Sequence, residues 1–532
     1  MTSGVYSFDH DHGMPARELG ELLGGKGAGL AEMTAALGMS VPPGFTISLP
    51  VCREYLSGGW PATLDDALRE HVDALGARMG RRLGDPHDPL LVAVRSGAPV
   101  SMPGMLDTVL NLGLNDDTVR GLARSSGDDW FAWDSYRRFV TMFATTVMGV
   151  DEATLRTGNP GRTADEVRTH VGRLRALIEQ HAGRAVPHDP MQQLREAVEA
   201  VFRSWGSDRA HAYRAHEAID GDLGTGCNVQ AMVFGNRGPS SGTGVVFTRN
   251  PATGEPRAYG DYLPRAQGED VVAGTAKTVP VQHMAEHQPL AYADLTAALR
   301  RLEVHYRDIC DVEFTVEDGH LWLLQTRIGK RGAVAAVRIA VDLVDDPEVK
   351  LTEAEALDRV PSTLRAKARA EIMGRCGPAG PEEDLLTTGL GASPGRVTGR
   401  VVFTADEAMD ADDDVILVRA ETSPEDVAGM AASVGILTTR GGLVSHAAVV
   451  ARGWGVPAVV GADDLTLEGE TIVGIKGMTV VVGETITIDG GSGCVWRGTV
   501  AGASAGDDVV AAQLPQLGRL EQWALEREVS PA

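Results

Sequence analysis

A segment rich in glycine, proline and acidic residues, RCGPAGPEEDLLTTG at 375–389, divides the chain into two parts with different apolar patterns. Before it, strand-like runs such as LLVAVR (90–95) and TGVVFTR (243–249) alternate with stretches of helical periodicity. After it, short strand-like runs follow one another at close spacing. The segment has the composition of a mobile linker, so we expect an α/β protein with several domains rather than one compact unit.

The length agrees with this organisation, because 532 residues are enough for about three domains of roughly 150 residues each. Residues 64–83 carry apolar side chains at intervals of three and four, which predicts an amphipathic helix that packs on a core. We predict four regions: a mixed α/β region at 1–330, a helical segment and flexible linker at 331–389, a smaller α/β domain at 390–505 and a helical tail at 506–532.

Composition and charge exclude several classes of function. The longest apolar runs are cut by Arg or Asp well short of a membrane span, and no leader-like region begins the sequence, so we expect a cytoplasmic protein. A formal charge of −24 repels phosphate backbones and disfavours nucleic-acid binding. The five cysteines are far apart and form no CxxC pair, which fits reduced structural thiols better than disulfides or zinc ligands.

A glycine-rich stretch near the N-terminus is the first candidate anion site. The sequence LLGGKGAGLAEM places Lys26 just before a predicted helix at 27–37, where backbone amides and an ammonium group could surround a phosphate. The stretch matches neither the GxxxxGK[ST] phosphate loop nor a dinucleotide fingerprint. From the pattern alone, an ordinary turn with a solvated lysine is the alternative.

A second candidate lies at the end of the strand-like run 90–95. Arg95 closes this run and opens a loop rich in Gly, Pro and Ser, in which Met102 and Met105 are soft apolar side chains. Such a loop can cover a flat ligand, although an ordinary surface loop fits the pattern equally well.

The sequence DVEFTVEDGHLWLLQTR, residues 311–327, predicts a β-hairpin. A three-residue loop would place four polar side chains on one face: Asp311, Glu313, Gln325 and Arg327. A two-residue turn would instead put Glu313 and Gln325 on opposite faces. On one face, the carboxylates and the amide oxygen could hold Mg²⁺ beside an arginine that binds phosphate. The pattern alone leaves the register open.

His446 lies between a Gly-Gly turn and an apolar helical stretch, in the sequence TTRGGLVSHAAVVARG. Ser445 is the predicted N-cap, so His446 falls in the first turn, where free amides and the positive helix end stabilise an added anion. A neutral imidazole there could accept a phosphoryl group. From geometry alone, a histidine that only satisfies the helix start is the alternative.

Eight motifs of the chain occur in one order: GGKGAGLAEM, VRSGAPVSMPGMLDTVLNLGLND, VFRSW, NVQAMVFGN, SGTGVVFTRNPATGE, AQGEDVVAG, EFTVEDGHLWLLQTR and TRGGLVSHAAVVARG. Together they closely resemble the pyruvate, phosphate dikinase family, from about Val5 to Trp523. The resemblance implies an ATP-grasp-type nucleotide-binding region and a swivelling β/β/α phosphohistidine domain. It also implies a C-terminal barrel for phosphoenolpyruvate or pyruvate, which would begin where this sequence ends.

Residue roles follow from the resemblance at the matching motifs. The residues implied at the nucleotide are Lys26, Arg95, Glu269, Asp311, Glu313, Gln325 and Arg327. Among them Lys26, Arg95 and Arg327 would contact the phosphates of ATP, and Glu313 and Gln325 would hold Mg²⁺. His446 would carry the phosphoryl group, and the resemblance favours the three-residue hairpin loop.

The implied reaction is phosphorylation of His446 by ATP with inorganic phosphate, which releases AMP and pyrophosphate. We expect a half-enzyme that passes the phosphoryl group to pyruvate on a separate barrel protein, and a homo-oligomer is compatible with this expectation. The alternatives are transfer to another small molecule and a non-catalytic remnant or regulator. Val444 stands where the family has threonine, so a hydroxyl two residues before the histidine is lost.

Overall fold

The computed structural model describes residues 4–100, 102, 105–272, 278–375, 380–443, 445–500 and 507–529. The chain forms two compact units, Met1–Ser241 with Trp322–Thr326, and Gly242–Leu321 with Arg327–Ala532. Each unit contains helices and sheets, so the predicted mixed α/β fold is confirmed. Of the helices in the described ranges, none combines the length and the apolar character that crossing a membrane requires.

The first unit is built on an antiparallel sheet. Its strands are β1 (Val5–Ser7), β2 (Gly44–Ile47), β3 (Arg82–Leu83), β4 (Pro89–Leu90), β5 (Val92–Gly97), β6 (Thr108–Leu112) and β7 (Gly226–Ala231). Five of them form the sheet in the order β1-β2-β7-β5-β6, while β3 and β4 pair separately. Val92 and Val94 of β5 are fully buried, as the apolar run predicted.

The α-helices described in the first unit are α1 (Gly20–Ala31), α2 (Leu49–Gly58), α3 (Leu64–Met79), α4 (Thr118–Ser126), α5 (Asp129–Thr146), α6 (Ala164–Ala182), α7 (Pro190–Ser204) and α8 (Asp208–His216). The predicted packing helix is α3, which buries Leu64, Leu68 and Val72 in the core of this unit. A capping box formed by Thr163 and Glu166 satisfies the first backbone donors of α6.

The second unit begins with a five-stranded sheet in the order β10-β9-β8-β11-β12. Its strands are β8 (Gly242–Phe247), β9 (Tyr259–Pro264), β10 (Val279–Pro280), β11 (Cys310–Glu317) and β12 (His320–Ile328). The helices between them are α9 (Gly268–Val272), α10 (Met284–His287) and α11 (Pro289–Tyr306), and the helices after them are α12 (Ala333–Asp345), α13 (Glu353–Arg359) and α14 (Ser362–Arg375). This sheet is called the β8–β12 sheet below.

A smaller α/β part of the second unit follows. Its strands are β13 (Leu385–Thr388), β14 (Leu390–Ser393), β15 (Arg396–Val402), β16 (Val415–Arg419), β17 (Gly435–Thr438), β18 (Ala458–Val460), β19 (Thr466–Glu468), β20 (Thr471–Val473), β21 (Thr479–Val481), β22 (Thr485–Asp489) and β23 (Cys494–Arg497). Its helices are α15 (Ala405–Met409), α16 (Val427–Ala432) and α17 (His446–Trp454). Eight strands form one sheet, in which β15 to β18 run parallel.

Strand β13 lies inside the segment that the sequence predicted as a linker. Leu386 is fully buried, and β13 pairs with β23 at the edge of the eight-stranded sheet. The linker prediction was therefore wrong for residues 385–388, because these residues gain strand hydrogen bonds and an apolar contact that composition alone does not reveal. The earlier residues 376–379 lie outside the described part of the chain.

The predicted helical tail forms α18 (Asp507–Gln513) and α19 (Pro515–Val529). Leu514, which lies between the two helices, and Leu517 and Leu520 of α19 are buried in the same cluster as the apolar faces of α12 and α13. Periodicity predicted the helices, whereas the surface that covers them comes from residues more than a hundred positions earlier.

Candidate functional site

The glycine-rich stretch lies within α1, which begins earlier than predicted. Gly24 has φ +73° and breaks the helix, and a Cβ at this position would collide with the backbone oxygen of Gly97 at the end of β5. Gly25 N donates to Ala98 O at 2.9 Å. The glycines therefore allow the second half of α1 to start directly against the loop that follows β5.

Lys26 and Arg95 lie at the same end of the first unit's sheet. A Cβ at Gly97 would be 3.2 Å from Lys26 Cβ, and Lys26 favours ionisation of buried Cys227, whose thiol pKa burial raises well above its usual range. Arg95 is paired with Asn228 of β7, whose side chain binds Arg95 O at 3.4 Å. The two residues thus lie at the same end of the sheet, and their binding of an anion and contact with ATP stay predictions.

Gln325 belongs to the part of β12 that groups with the first unit, and it is buried. Its neighbour Thr326 approaches α1 so closely that a Cβ at Gly29 would lie 2.9 Å from Thr326 O. The helix that carries Lys26 and the segment that carries Gln325 are therefore in contact within one unit.

The hairpin turn differs from the favoured prediction. Strand β11 ends at Glu317 and β12 begins at His320, so the loop has two residues, Asp318 (φ 49°) and Gly319 (φ 81°), as in a type I′ turn. At the other end of the hairpin, Gly329 N donates to Ile309 O. This pairing is shifted by one residue along β12 from the register that the two-residue turn sets. Strand β12 therefore contains one extra residue, which forms a β-bulge. The bulge places Arg327 opposite Asp311, as a three-residue loop would have done.

Asp311 and Glu313 share one face of the β8–β12 sheet. Asp311, Phe247 and Tyr259 lie opposite one another on β11, β8 and β9 and form one row across the sheet. Two residues along each strand, Glu313, Val245 and Asp261 form the next row on the same face. Arg327 Nε donates to Asp311 Oδ2 at 2.7 Å. The predicted carboxylates and the arginine of the second unit are thus brought together.

The oxygen ligands on this face suit Mg²⁺. Asp311 Oδ1 is buried and accepts no hydrogen bond from any described residue, although Asp311 Oδ2 is paired with Arg327. A buried acceptor oxygen without a hydrogen bond costs stability, and a bound cation would satisfy it. Among the described residues no three His, Cys, Asp or Glu side chains converge on a protein-only metal site. This arrangement fits Mg²⁺, which binds through one or two carboxylates and the phosphates of a substrate.

Glu269 lies farther along the same sheet. It is in the first turn of α9, whose Gly268 approaches the hydroxyl of Thr243 at the opposite end of β8 from Phe247. Helix α9 thus begins near the end of β8 that is away from the Asp311 row, and the role of Glu269 near the nucleotide stays a prediction.

His446 is the first residue of α17 and Ser445 is its N-cap residue, as the sequence predicted. The Ser445 side chain does not cap the helix; its Oγ is buried and has no hydrogen-bond partner among the described residues. His446 Nε2 is buried and unpartnered in the same sense, whereas its Nδ1 lies 3.0 Å from Thr422 Oγ1. Val444, the departure from the family, lies outside the described residues.

Thr422 is a site residue that the sequence analysis missed. It follows β16, and the His446 loop follows β17, which is the parallel neighbour of β16. Loops after neighbouring parallel strands meet at one edge of a sheet, so strand order would have revealed the pair. When Nδ1–H donates to Thr422 Oγ1, the lone pair is on Nε2, which is then the nucleophilic nitrogen.

Burial lowers the pKa of His446 below its ordinary value of 6.5, and the more distant carboxylates of Asp426 and Glu425 oppose this effect. The imidazole is therefore neutral at neutral pH. The amides of the first turn of α17 have no acceptor within the helix, and the positive helix end favours an anion at this point. The side chain thus combines an available lone pair with surroundings that stabilise an attached phosphoryl group.

The loop before His446 lies against the β8–β12 sheet. A Cβ at Gly442 would collide with Asp261 Oδ2 and would lie 3.0 Å from Thr278 Oγ1. Asp261 is on the same face as Asp311 and Glu313. Within the second unit, the histidine loop therefore contacts the face that carries the predicted magnesium ligands, a contact that no sequence pattern indicated.

Comparison with known proteins identifies the two parts of the chain. Residues 56–290 match the model of the pyruvate phosphate dikinase AMP/ATP-binding domain, and residues 411–493 match the mobile domain of PEP-utilising enzymes. Similar proteins include pyruvate, phosphate dikinase 1, chloroplastic, from Oryza sativa subsp. japonica, which is 46% identical over 92% of this chain and 53% of that protein.

Bacterial proteins are similarly related. Pyruvate, phosphate dikinase from Clostridium symbiosum is 44% identical over 94% of this chain and 58% of its own length, and that from Rhizobium meliloti (strain 1021) is 44% identical over 98% and 60%. The chain thus spans between 53 and 60% of the length of these relatives. The chain belongs to the pyruvate, phosphate dikinase family of PEP-utilising phosphotransferases, and it carries the nucleotide-binding and mobile domains of that family.

Proposed function

We propose that this chain catalyses the ATP- and Mg²⁺-dependent phosphorylation of His446. Nε2 of the neutral imidazole attacks the β-phosphorus of ATP, the bond from that phosphorus to the oxygen of AMP breaks, and AMP leaves. The γ-phosphoryl group then passes to inorganic phosphate, pyrophosphate leaves, and one phosphoryl group stays on His446. The family names of the similar proteins support this reaction type.

The observation that carries the proposal is the pair of buried atoms without partners at the start of α17, His446 Nε2 and Ser445 Oγ. Leaving buried polar atoms unpaired costs about 1–3 kcal/mol each, so a folded protein retains them where a ligand completes the contacts. A phosphoryl group on Nε2 would accept from the Ser445 hydroxyl and from the first-turn amides. The lowered pKa keeps the lone pair of the nucleophile available at neutral pH.

The residues proposed at the nucleotide are Lys26, Arg95, Glu269, Asp311, Glu313, Gln325 and Arg327. We propose that the three cations among them contact the phosphates and that Glu313 and Gln325 hold Mg²⁺; the buried oxygen of Asp311, unpartnered among the described residues and on the same face as Glu313, supports the role of Glu313. Bound Mg²⁺ neutralises phosphate charge so that an uncharged imidazole can approach. The contribution of the chain itself is position and electrostatic stabilisation.

We propose that pyruvate is the acceptor in the second half-reaction. We further propose that it is bound by a barrel outside residues 1–532, in a separate protein. The names of the relatives support pyruvate. The phosphoryl bond to nitrogen would break as the enolate oxygen of pyruvate attacks, which yields phosphoenolpyruvate and restores His446. Transfer to a different small molecule would use the same phosphorylated histidine.

The test is incubation with ATP labelled at the β-phosphate, Mg²⁺ and phosphate, followed by measurement of label that is acid-labile and base-stable. Wild type should incorporate about one label per chain, His446→Ala none, and His188→Ala, a change at an exposed histidine, as much as wild type. Equal labelling of wild type and His446→Ala, or no labelling of either, would refute the proposal. AMP formation that needs no added phosphate and releases inorganic phosphate in place of pyrophosphate would indicate transfer of the γ-phosphoryl group to water, a synthase-like reaction.

A further inference from the structure

Arg452 is a buried cation on α17, six residues after His446 and only 4% exposed. Its Nη2 donates to Leu443 O at 2.8 Å, and its Nε donates to Ala392 O of β14 at 3.1 Å. Leu443 belongs to the loop that leads into His446. The guanidinium therefore fastens the backbone of the histidine loop to the sheet of its own domain.

The other side of the same guanidinium meets the β8–β12 sheet. Its central carbon is 5.2 Å from the ring centroid of Phe247, close enough for a cation–π contact. Phe247 is the middle of the row that joins Asp311 and Tyr259. Arg452 thus contacts both the loop that carries the nucleophile and the face that carries the predicted magnesium ligands.

None of the described carboxylates forms an ion pair with Arg452. Burial lowers the pKa of its guanidinium, and the nearby Tyr259, Asp311 and Asp261 oppose this effect only in part. A buried charge held only by carbonyls and a ring is costly compared with an apolar side chain of similar size. Domain stability alone does not explain an arginine here. The contact with the β8–β12 sheet supplies the reason, because its carboxylates stabilise the charge only while the two surfaces touch.

We propose that Arg452 is a positioning residue that links contact with the β8–β12 sheet to the conformation of the loop carrying His446. The proposal rests on the proposed phosphorylation of His446. When the guanidinium of Arg452 packs on Phe247 near the acidic face, its N–H groups are oriented toward Leu443 O and Ala392 O. The loop is then held in the conformation in which His446 attacks ATP. When the surfaces separate, the guanidinium loses this support and the loop gains freedom.

Arginine is suited to this role by its planar fork, which can donate to two carbonyls while its face lies on an aromatic ring. A lysine at the same position would keep the charge but could not reproduce both hydrogen bonds and the stacking. Arg452→Lys should therefore restore part of the function that Arg452→Met loses, whereas a purely steric role would be served equally by methionine.

The test compares Arg452→Met, Arg452→Lys and the control Arg400→Met, which removes an arginine of the same domain that is paired with Asp413. Single-turnover phosphorylation of His446 at saturating ATP should fall roughly 10- to 100-fold in Arg452→Met, the loss expected from a misplacement of about 1 Å. Arg452→Lys should lose less, Arg400→Met should stay within threefold of wild type, and KM for ATP should stay within twofold throughout.

Hydrogen exchange of the loop amides provides a readout that does not depend on activity. Exchange at residues 439–447 should be faster in Arg452→Met than in wild type or Arg400→Met, while exchange in β15 to β17 is unchanged. An unchanged rate in Arg452→Met, or equal losses in Arg400→Met, would overturn the inference. If wild type is not phosphorylated but the exchange difference appears, the proposed function fails and the positioning role of Arg452 stands; if the exchange difference is absent, the positioning role fails.

Discussion

Gly442→Ala tests whether contact between the histidine loop and the β8–β12 sheet is needed for phosphorylation. The new Cβ would lie 2.9 Å from Asp261 Cγ and collide with Asp261 Oδ2. Carbon atoms in contact are about 3.5 Å apart, so the loop or Asp261 must move by at least about 0.6 Å. Asp261 is 3% exposed and cannot turn away into solvent.

Overpacking of this kind costs about 1–3 kcal/mol, which corresponds to a loss of about 5- to 140-fold in the population of the contacting arrangement. We expect the single-turnover rate of His446 phosphorylation to fall by that factor. The thermal midpoint of the variant should stay near that of wild type, because the strain falls on the contact and not on the core of the domain.

Gly518→Ala is the matched control, because a Cβ at that glycine of α19 meets nothing within 4 Å. A double-mutant cycle with Asp261→Ala gives the coupling directly: in that background, Gly442→Ala should cost less than about threefold. Phosphorylation of Gly442→Ala at the wild-type rate, or losses that simply multiply in the double mutant, would refute the reasoning.

Four further predictions concern the site. Thr422→Val removes the partner of His446 Nδ1 and should slow phosphorylation about tenfold, since a lost buried hydrogen bond costs about 1–3 kcal/mol; an unchanged single-turnover rate would contradict this. The acid limb of the pH–rate profile should lie below pH 6.5, because burial lowers the pKa of His446 and only the neutral imidazole attacks; a limb above 6.5 would show the opposite shift. Asp311→Asn should raise the Mg²⁺ concentration for half-maximal phosphorylation about tenfold, whereas Val444→Thr should leave ATP affinity unchanged in an equilibrium binding assay.

The sign of the pH effect also applies to stability. The folded protein binds a proton at His446 less readily than the unfolded chain, so this residue makes the fold less stable as pH falls through 6.5 toward the lowered pKa. Above pH 6.5 the histidine contributes no such penalty. The loss of activity in acid should therefore be accompanied by easier unfolding of the domain that contains α17.

The sequence by itself determined the local structure. Apolar residues spaced by three and four predicted α3, and the helix-start pattern predicted Ser445 and His446 at the beginning of α17, because these signals depend on neighbours within one or two turns. The same reasoning placed the hairpin at Asp318-Gly319, whereas the predicted strand end at Arg95 was wrong, because β5 continues by pairing with β7 as far as Gly97.

Tertiary structure decided which of these groups meet. Thr422 is 24 positions from His446, and Phe247 is even farther along the chain from Arg452, so no local pattern links them. The bulge in β12 likewise depends on pairing with β11, and not on the turn residues that set the register at the other end. Periodicity fixes which face of an element is apolar, but the partner of each polar group is set by how distant strands and helices pack.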